Sequence, residues 1–184
     1  TSDRIMRLEP EFAQSWYLRT KELIDKYEPE LLYFDGPLPN GIYGQQLAAH
    51  FYNKNPRAVM FGKMLNDEQR EALTWDVERG APNEIVEEPW QTCNCLGNWH
   101  YNTSIYERGS YKSATEVIKQ LIDIVSKNGN LLLSIPLRAD GTYDEKEAAI
   151  LDGIEAWMTV NKESIFNTRP WVRFGEGPVA ESDI

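Results

Sequence analysis

What most constrains this chain is an alternation. Short runs that are apolar at nearly every position follow stretches whose apolar residues recur at helical spacing. The clearest pairs are Glu11–Tyr27 leading into Leu31–Phe34, and Ser113–Lys127 leading into Asn130–Pro136. In the first helical stretch Phe12, Trp16, Leu23, Ile24 and Tyr27 lie among charges; in the second, Val117, Ile118, Leu121, Ile122 and Val125 form the stripe. A strand that is apolar throughout must be covered on both faces, and a parallel sheet flanked by helices provides that cover. The spacing further predicts a helix over Gln45–Asn53, a strand over Arg57–Phe61 and a helical turn or loop over Asn66–Ala72. Strands over Leu73–Arg79 and Trp90–Leu96 and a closing helix over Asp144–Val160 follow, and the Gly- and Pro-rich tail from Thr168 reads as irregular. Gly129 reads as the residue that stops the helix before it. There is no internal repeat and no low-complexity linker. Residues 1–184 are therefore expected to form one α/β domain, an incomplete (β/α)8 (TIM-like) barrel with about five parallel strands.

In such sheets ligands meet the C-terminal ends of the strands. Asp35 lands there, between the apolar run ending at Phe34 and the turn residues Gly36-Pro37. An Asp in that place more often only opens a turn. Two other strand ends carry polar groups: Asp76, Glu78 and Arg79 on the third, and Trp99-His100-Tyr101 after the fourth. Thr74, Asp76 and Glu78 fall on one face of their strand. Taken alone, Asp76, Glu78 and Arg79 are more often a solvated charge run or a salt bridge at the rim. Taken together, two carboxylates from different strands with aromatic rings between them suit glycoside cleavage. One carboxylate attacks the anomeric carbon, and the other protonates the leaving oxygen. Aromatic rings cover the apolar face of a sugar, and an Arg can hold its hydroxyls.

Composition narrows the partners. The formal charge is −10, with no basic cluster, which argues against nucleic acid or an anionic membrane surface. No apolar run is long enough to span a bilayer, and no Gly-x-Gly-x-x-Gly or phosphate loop is present. Cys93 and Cys95 lie two apart, a spacing that strains a disulfide, so they read as reduced thiols. His50 and His100 are too few and too scattered for a metal site.

At this point the chain resembles a known family. Leu31-Leu32-Tyr33-Phe34-Asp35-Gly36 is similar to the nucleophile strand of the α-L-fucosidases, glycoside hydrolase family 29. Val77-Glu78-Arg79-Gly80, Pro89-Trp90-Gln91-Thr92-Cys93, Gly97-Asn98-Trp99-His100-Tyr101-Asn102 and Asn128-Gly129-Asn130-Leu131-Leu132-Leu133-Ser134-Ile135 continue the likeness in order. Arg138-Ala139-Asp140-Gly141-Thr142 and the closing helix up to Arg169-Pro170-Trp171 extend it over nearly the whole chain. The resemblance implies a retaining exo-fucosidase that removes terminal α-L-fucose from an oligosaccharide or glycoconjugate, without a metal or organic cofactor. Asp35 would be the nucleophile. Many relatives carry Glu in the Pro-Trp-Glu-Thr block, where this chain has Gln91, which cannot donate a proton as an acid. Asp76 is therefore the preferred acid/base and Glu78 the runner-up. Arg79 looks like the fucose-binding Arg and Trp99 like the aromatic wall, with Tyr33 and His100 as further substrate contacts.

Members of that family have about three further barrel strands ahead of this stretch and a β-sandwich after it, and residues 1–184 are expected to hold neither. The chain opens on Thr1 rather than Met. Two expectations follow: a fragment of a longer protein, or a short form that completes its barrel as a homo-oligomer. The second is favoured. A catalytically silent fucose-binding scaffold is the alternative function.

Overall fold

The computed structural model describes residues 10–39 and 41–176. Their packing divides into two compact units, one reaching to Asp76 and one starting at Val77. Five strands lie in the order β1-β2-β3-β4-β5. They are β1 (Leu31–Phe34), β2 (Val59–Gly62), β3 (Thr74–Glu78), β4 (Trp90–Cys95) and β5 (Gly129–Ser134). The neighbours β1/β2, β2/β3 and β4/β5 pair parallel, as the alternating pattern requires.

In the first unit, α1 (Pro10–Tyr27) and α2 (Ile42–Lys54) pack on each other. Ile24, Leu38, Leu47, Phe51, Ala58, Met60 and Leu73 meet in its core. The second strand starts later than Arg57, because Asn55 holds a turn. Its side-chain oxygen accepts from the Arg57 N–H and its carbonyl from the Ala58 N–H. The polar stretch before β3 forms one helical turn, α3 (Asp67–Arg70), closed by a capping box between Asn66 and Gln69. One expectation needs correction. Leu31–Phe34 is not covered on both faces: Leu31 is 54% exposed and the other three residues are half-buried. Among the described residues β1 is outermost in the strand order and pairs with β2.

The second unit is built on β4, where five of six residues are buried. Trp90 is its anchor, with its indole N–H donating to the Lys127 carbonyl at 2.9 Å. Gly129 does not stop the helix. That helix, α5, runs Ala114–Ser126, and Asn128 takes the left-handed φ of 70° that turns the chain. Gly129 instead opens β5, and a Cβ there would lie 2.5 Å from the Trp90 ring. It is needed for close approach, not for conformational freedom. A short helix that the apolar spacing did not reveal, α4 (Thr103–Arg108), follows the aromatic loop. Asn102 caps its start and Gly109, at φ 62°, its end.

The last helix, α6 (Glu145–Asn161), is tied down by fully buried Asp144 at its N-cap. The Asp144 carboxylate accepts from the Lys146 and Glu147 N–H groups and from the Tyr111 phenol at 2.6 Å. Glu147 answers by accepting the Asp144 N–H. Its other oxygen is buried with no hydrogen-bond partner. Burial pushes the Glu147 carboxyl above its ordinary range; the Asp144 N–H works against this, and the Asp144 carboxylate adds to it. The folded chain therefore holds this proton more tightly than the unfolded chain. The associated stability is present below the ordinary carboxylate pKa and is lost as pH rises through the folded value. Glu147→Gln keeps the capping acceptor and removes the charge. It is expected to raise Tm above wild type at pH 7, with the gap closing as the scan is repeated toward pH 4.

Candidate active site

In the first unit the candidate groups gather at the C-terminal ends of three adjacent strands. Phe34 pairs with Gly62, and Gly62 with Trp75. One residue further on, Asp35, Lys63 and Asp76 stand in one row on one face of the sheet. The Lys63 N–H donates to the Phe34 carbonyl, which fixes the row's register at its first step. Asp35 is exposed, its side chain 76% accessible, and its Oδ1 accepts from Lys63 Nζ. Lys63 is the opposite: its side chain is only 16% accessible, so a mostly buried stem delivers an ammonium to an open carboxylate. The same ammonium lies 5.9 Å from the Tyr33 ring centre. Tyr33, in turn, donates its hydroxyl to Asp76 Oδ2 at 2.6 Å. Asp76 is 1% exposed.

The second unit carries the other candidates. β3 ends at Glu78, and the chain turns through two left-handed residues, Arg79 at φ 55° and Gly80 at φ 89°. A left-handed Arg is strained unless the surroundings fix it. Here its N–H donates to the Cys93 carbonyl of β4, and the side chain is held as well. The guanidinium sits 5.1 Å from the Trp99 ring centre, with one nitrogen 3.7 Å from Cys95 Sγ and Nε 4.0 Å from Glu78 Oε1. Cys93 Sγ lies 3.4 Å from the other Glu78 oxygen. Both cysteines are buried and reduced. Gln91 shares their face of β4, half-buried, beside Asn130 in the β4/β5 register. Trp99 is half-buried, with its N–H donating to Asn98 Oδ1, whereas His100 is exposed. Among the described residues no three His, Cys, Asp or Glu side chains are placed to hold a metal ion, and no helix could cross a membrane.

Residues 1–163 match the family described as Alpha-L-fucosidase. The chain belongs to the α-L-fucosidase family. Within that family it is 29% identical over 162 residues to the plasma alpha-L-fucosidase of Rattus norvegicus, covering 82% of this chain and 35% of that protein. The alpha-L-fucosidase of Dictyostelium discoideum is 27% identical over 162 residues, 82% of this chain and 34% of that one. A solved alpha-L-fucosidase superposes with a TM-score of 0.74 at 27% identity, covering 89% of this chain and 37% of its own. The chain thus spans about a third of the length of the curated fucosidases it matches, and its five-stranded α/β sheet is part of a TIM-like barrel.

The residues expected from the sequence fall into two sets. Asp35, Tyr33 and Asp76 are brought together in the first unit; Glu78, Arg79 and Trp99 are brought together in the second. Lys63 was missed. A signal for it existed: Lys63 follows the run Met60-Phe61-Gly62 as Asp35 follows Leu32-Tyr33-Phe34, one step beyond a strand end. In sequence alone a lysine at that step looks like any solvated surface lysine, and only the strand register sets it beside Asp35.

Proposed function

We propose that this chain carries the nucleophile and acid/base of a retaining exo-α-L-fucosidase. Its substrate is terminal α-L-fucose on an oligosaccharide or glycoconjugate. One observation carries the reading: an open carboxylate, Asp35, stands just past a barrel strand in the same row as a second, buried carboxylate, Asp76. Asp35 attacks the anomeric carbon and forms a fucosyl ester. Asp76 gives its proton to the departing oxygen and then takes one from the incoming water. Their backbones are two strand spacings apart, about 9–10 Å. A retaining pair needs its carboxyls roughly 5 Å apart, so the reading requires the two side chains to lean toward each other from that backbone spacing. Tyr33 orients Asp76; the family resemblance assigns Arg79 to the sugar hydroxyls, Trp99 to the apolar side of the ring and His100 as a further contact. Glu78 is the runner-up for the proton.

The test uses an aryl α-L-fucoside with a good leaving group. Asp76→Ala is expected to lower kcat by about 10²-fold or more, and azide is expected to restore turnover with α-L-fucosyl azide as the product. Azide needs no base, and it enters from the face the aryl group left. Rescue in Glu78→Ala instead moves the role to Glu78.

Gln91 favours a second reading, a fucose-binding scaffold without turnover, because it stands where many relatives carry Glu. Binding of fucose with no release from any fucoside would select it. The reading also includes a homo-oligomer that completes the barrel, supported by outermost strands that expose Leu31 and Leu132. A monomeric mass in sedimentation, together with cooperative unfolding, would remove that part alone.

A further inference from the structure

We propose that Lys63 is a positioning residue that governs the second half of the reaction, the release of fucose from Asp35. The inference rests on the reading of Asp35 as nucleophile. The geometry points to it in three ways. Lys63 Nζ is bonded to Asp35 Oδ1, so Oδ2 is the oxygen left to attack. The lysine stem is mostly buried, so the ammonium cannot swing away as a surface lysine would. And Lys63 occupies the strand-end position between Asp35 and Asp76, against the Tyr33 ring.

The charge changes in each step define what such a lysine does. In the first, an oxygen lone pair of Asp35 forms the bond to the anomeric carbon. The glycosidic C–O bond breaks, and its electrons leave with the aglycone oxygen, which takes the proton of the acid. Asp35 goes from anion to neutral ester, and the Lys63–Asp35 ion pair is lost. An ammonium beside it opposes this step modestly, while it fixes which oxygen attacks. In the second step water adds to the anomeric carbon and yields a proton to the base. The ester C–O bond breaks with its electrons returning to Asp35. Negative charge now develops next to the ammonium, and a charge-assisted hydrogen bond forms as the bond breaks. The lysine therefore makes Asp35 a better leaving group. Its effects on the two steps are opposite in sign: it opposes the first modestly and helps the second.

The experiment measures the two steps separately. The purified protein is mixed with 2-deoxy-2-fluoro-α-L-fucosyl fluoride, which slows both steps; the labelled residue is found by mass spectrometry and the lifetime of the adduct is followed. Wild type, Lys63→Met and Lys63→Arg are compared. The expected result is a label on Asp35 in all three, with a lifetime in Lys63→Met longer by about 10-fold or more. Lys63→Arg is expected to recover most of the wild-type rate. With an aryl fucoside, Lys63→Met should show a pre-steady-state burst and a fall in kcat and KM together, which loss of fold would not produce. A label on Asp35 with equal lifetimes overturns the inference and leaves the nucleophile assignment standing. No label on Asp35 in wild type overturns both.

Discussion

Asp35→Ala is expected to lower kcat on an aryl α-L-fucoside by at least about 10⁴-fold while leaving the cooperative unfolding transition in place. The two halves of that expectation have separate causes. The catalytic loss is large because no other group lies one step past β1 to form the covalent intermediate. The structural loss is small because Asp35 buries almost nothing: it follows the last residue of β1, and its side chain is open to water. Its ion pair with Lys63 is solvated on the Asp35 side, so the change in stability should stay within about 1 kcal/mol. Added azide supplies a sharper readout. With the nucleophile gone, azide can attack from the vacated side and give the inverted β-L-fucosyl azide, the opposite anomer from an acid/base variant. Wild-type rates in Asp35→Ala would end the fucosidase reading of this strand.

Trp90→Ala carries the largest expected effect on stability, about 3–5 kcal/mol, read as a lower urea midpoint at unchanged slope. Trp90 is 1% exposed. Its ring fills the space over Gly129 and its N–H satisfies the Lys127 carbonyl, so truncation opens a cavity and orphans an acceptor at once. The effect is concentrated where β4 and β5 begin, since Trp90 and Gly129 are the first pair in their register. A midpoint within error of wild type would mean that the β4/β5 pair does not depend on this ring.

How much of this was legible in the sequence depends on what kind of signal each feature leaves. The alternation of apolar runs and amphipathic stretches is set by burial, and burial is periodic; five strands in order and four long helices could be read from it. Strand ends were legible to a residue or two, because Gly and Pro mark them. Features that depend on a neighbour distant in sequence were not. Gly129 looked like a helix stop because glycines commonly are, and only the Trp90 ring, on another strand, reveals why no side chain fits there. The openness of β1 was hidden in the same way, since four apolar residues look alike on a central and an outer strand. Helix α4 left no stripe to find: its ends are set by Asn102 and Gly109, and it buries no residue. For the site, chemistry was visible one residue at a time. Pairings such as Lys63 with Asp35, or Tyr33 with Asp76, needed the register of three strands.

The two thiols on β4 have a use apart from chemistry on sugars. Cys93 and Cys95 are the chain's only cysteines, both are shut away from solvent, and both lie against the strand end that carries Glu78 and Arg79. A thiol reagent can reach them only when that edge of β4 opens. The rate of modification under native conditions, compared with the rate after unfolding, therefore measures how often this one place opens. No label, tag or substitution has to be introduced. Sugar bound at Arg79 would slow the modification, so the same two atoms would register occupancy even in a variant that turns nothing over.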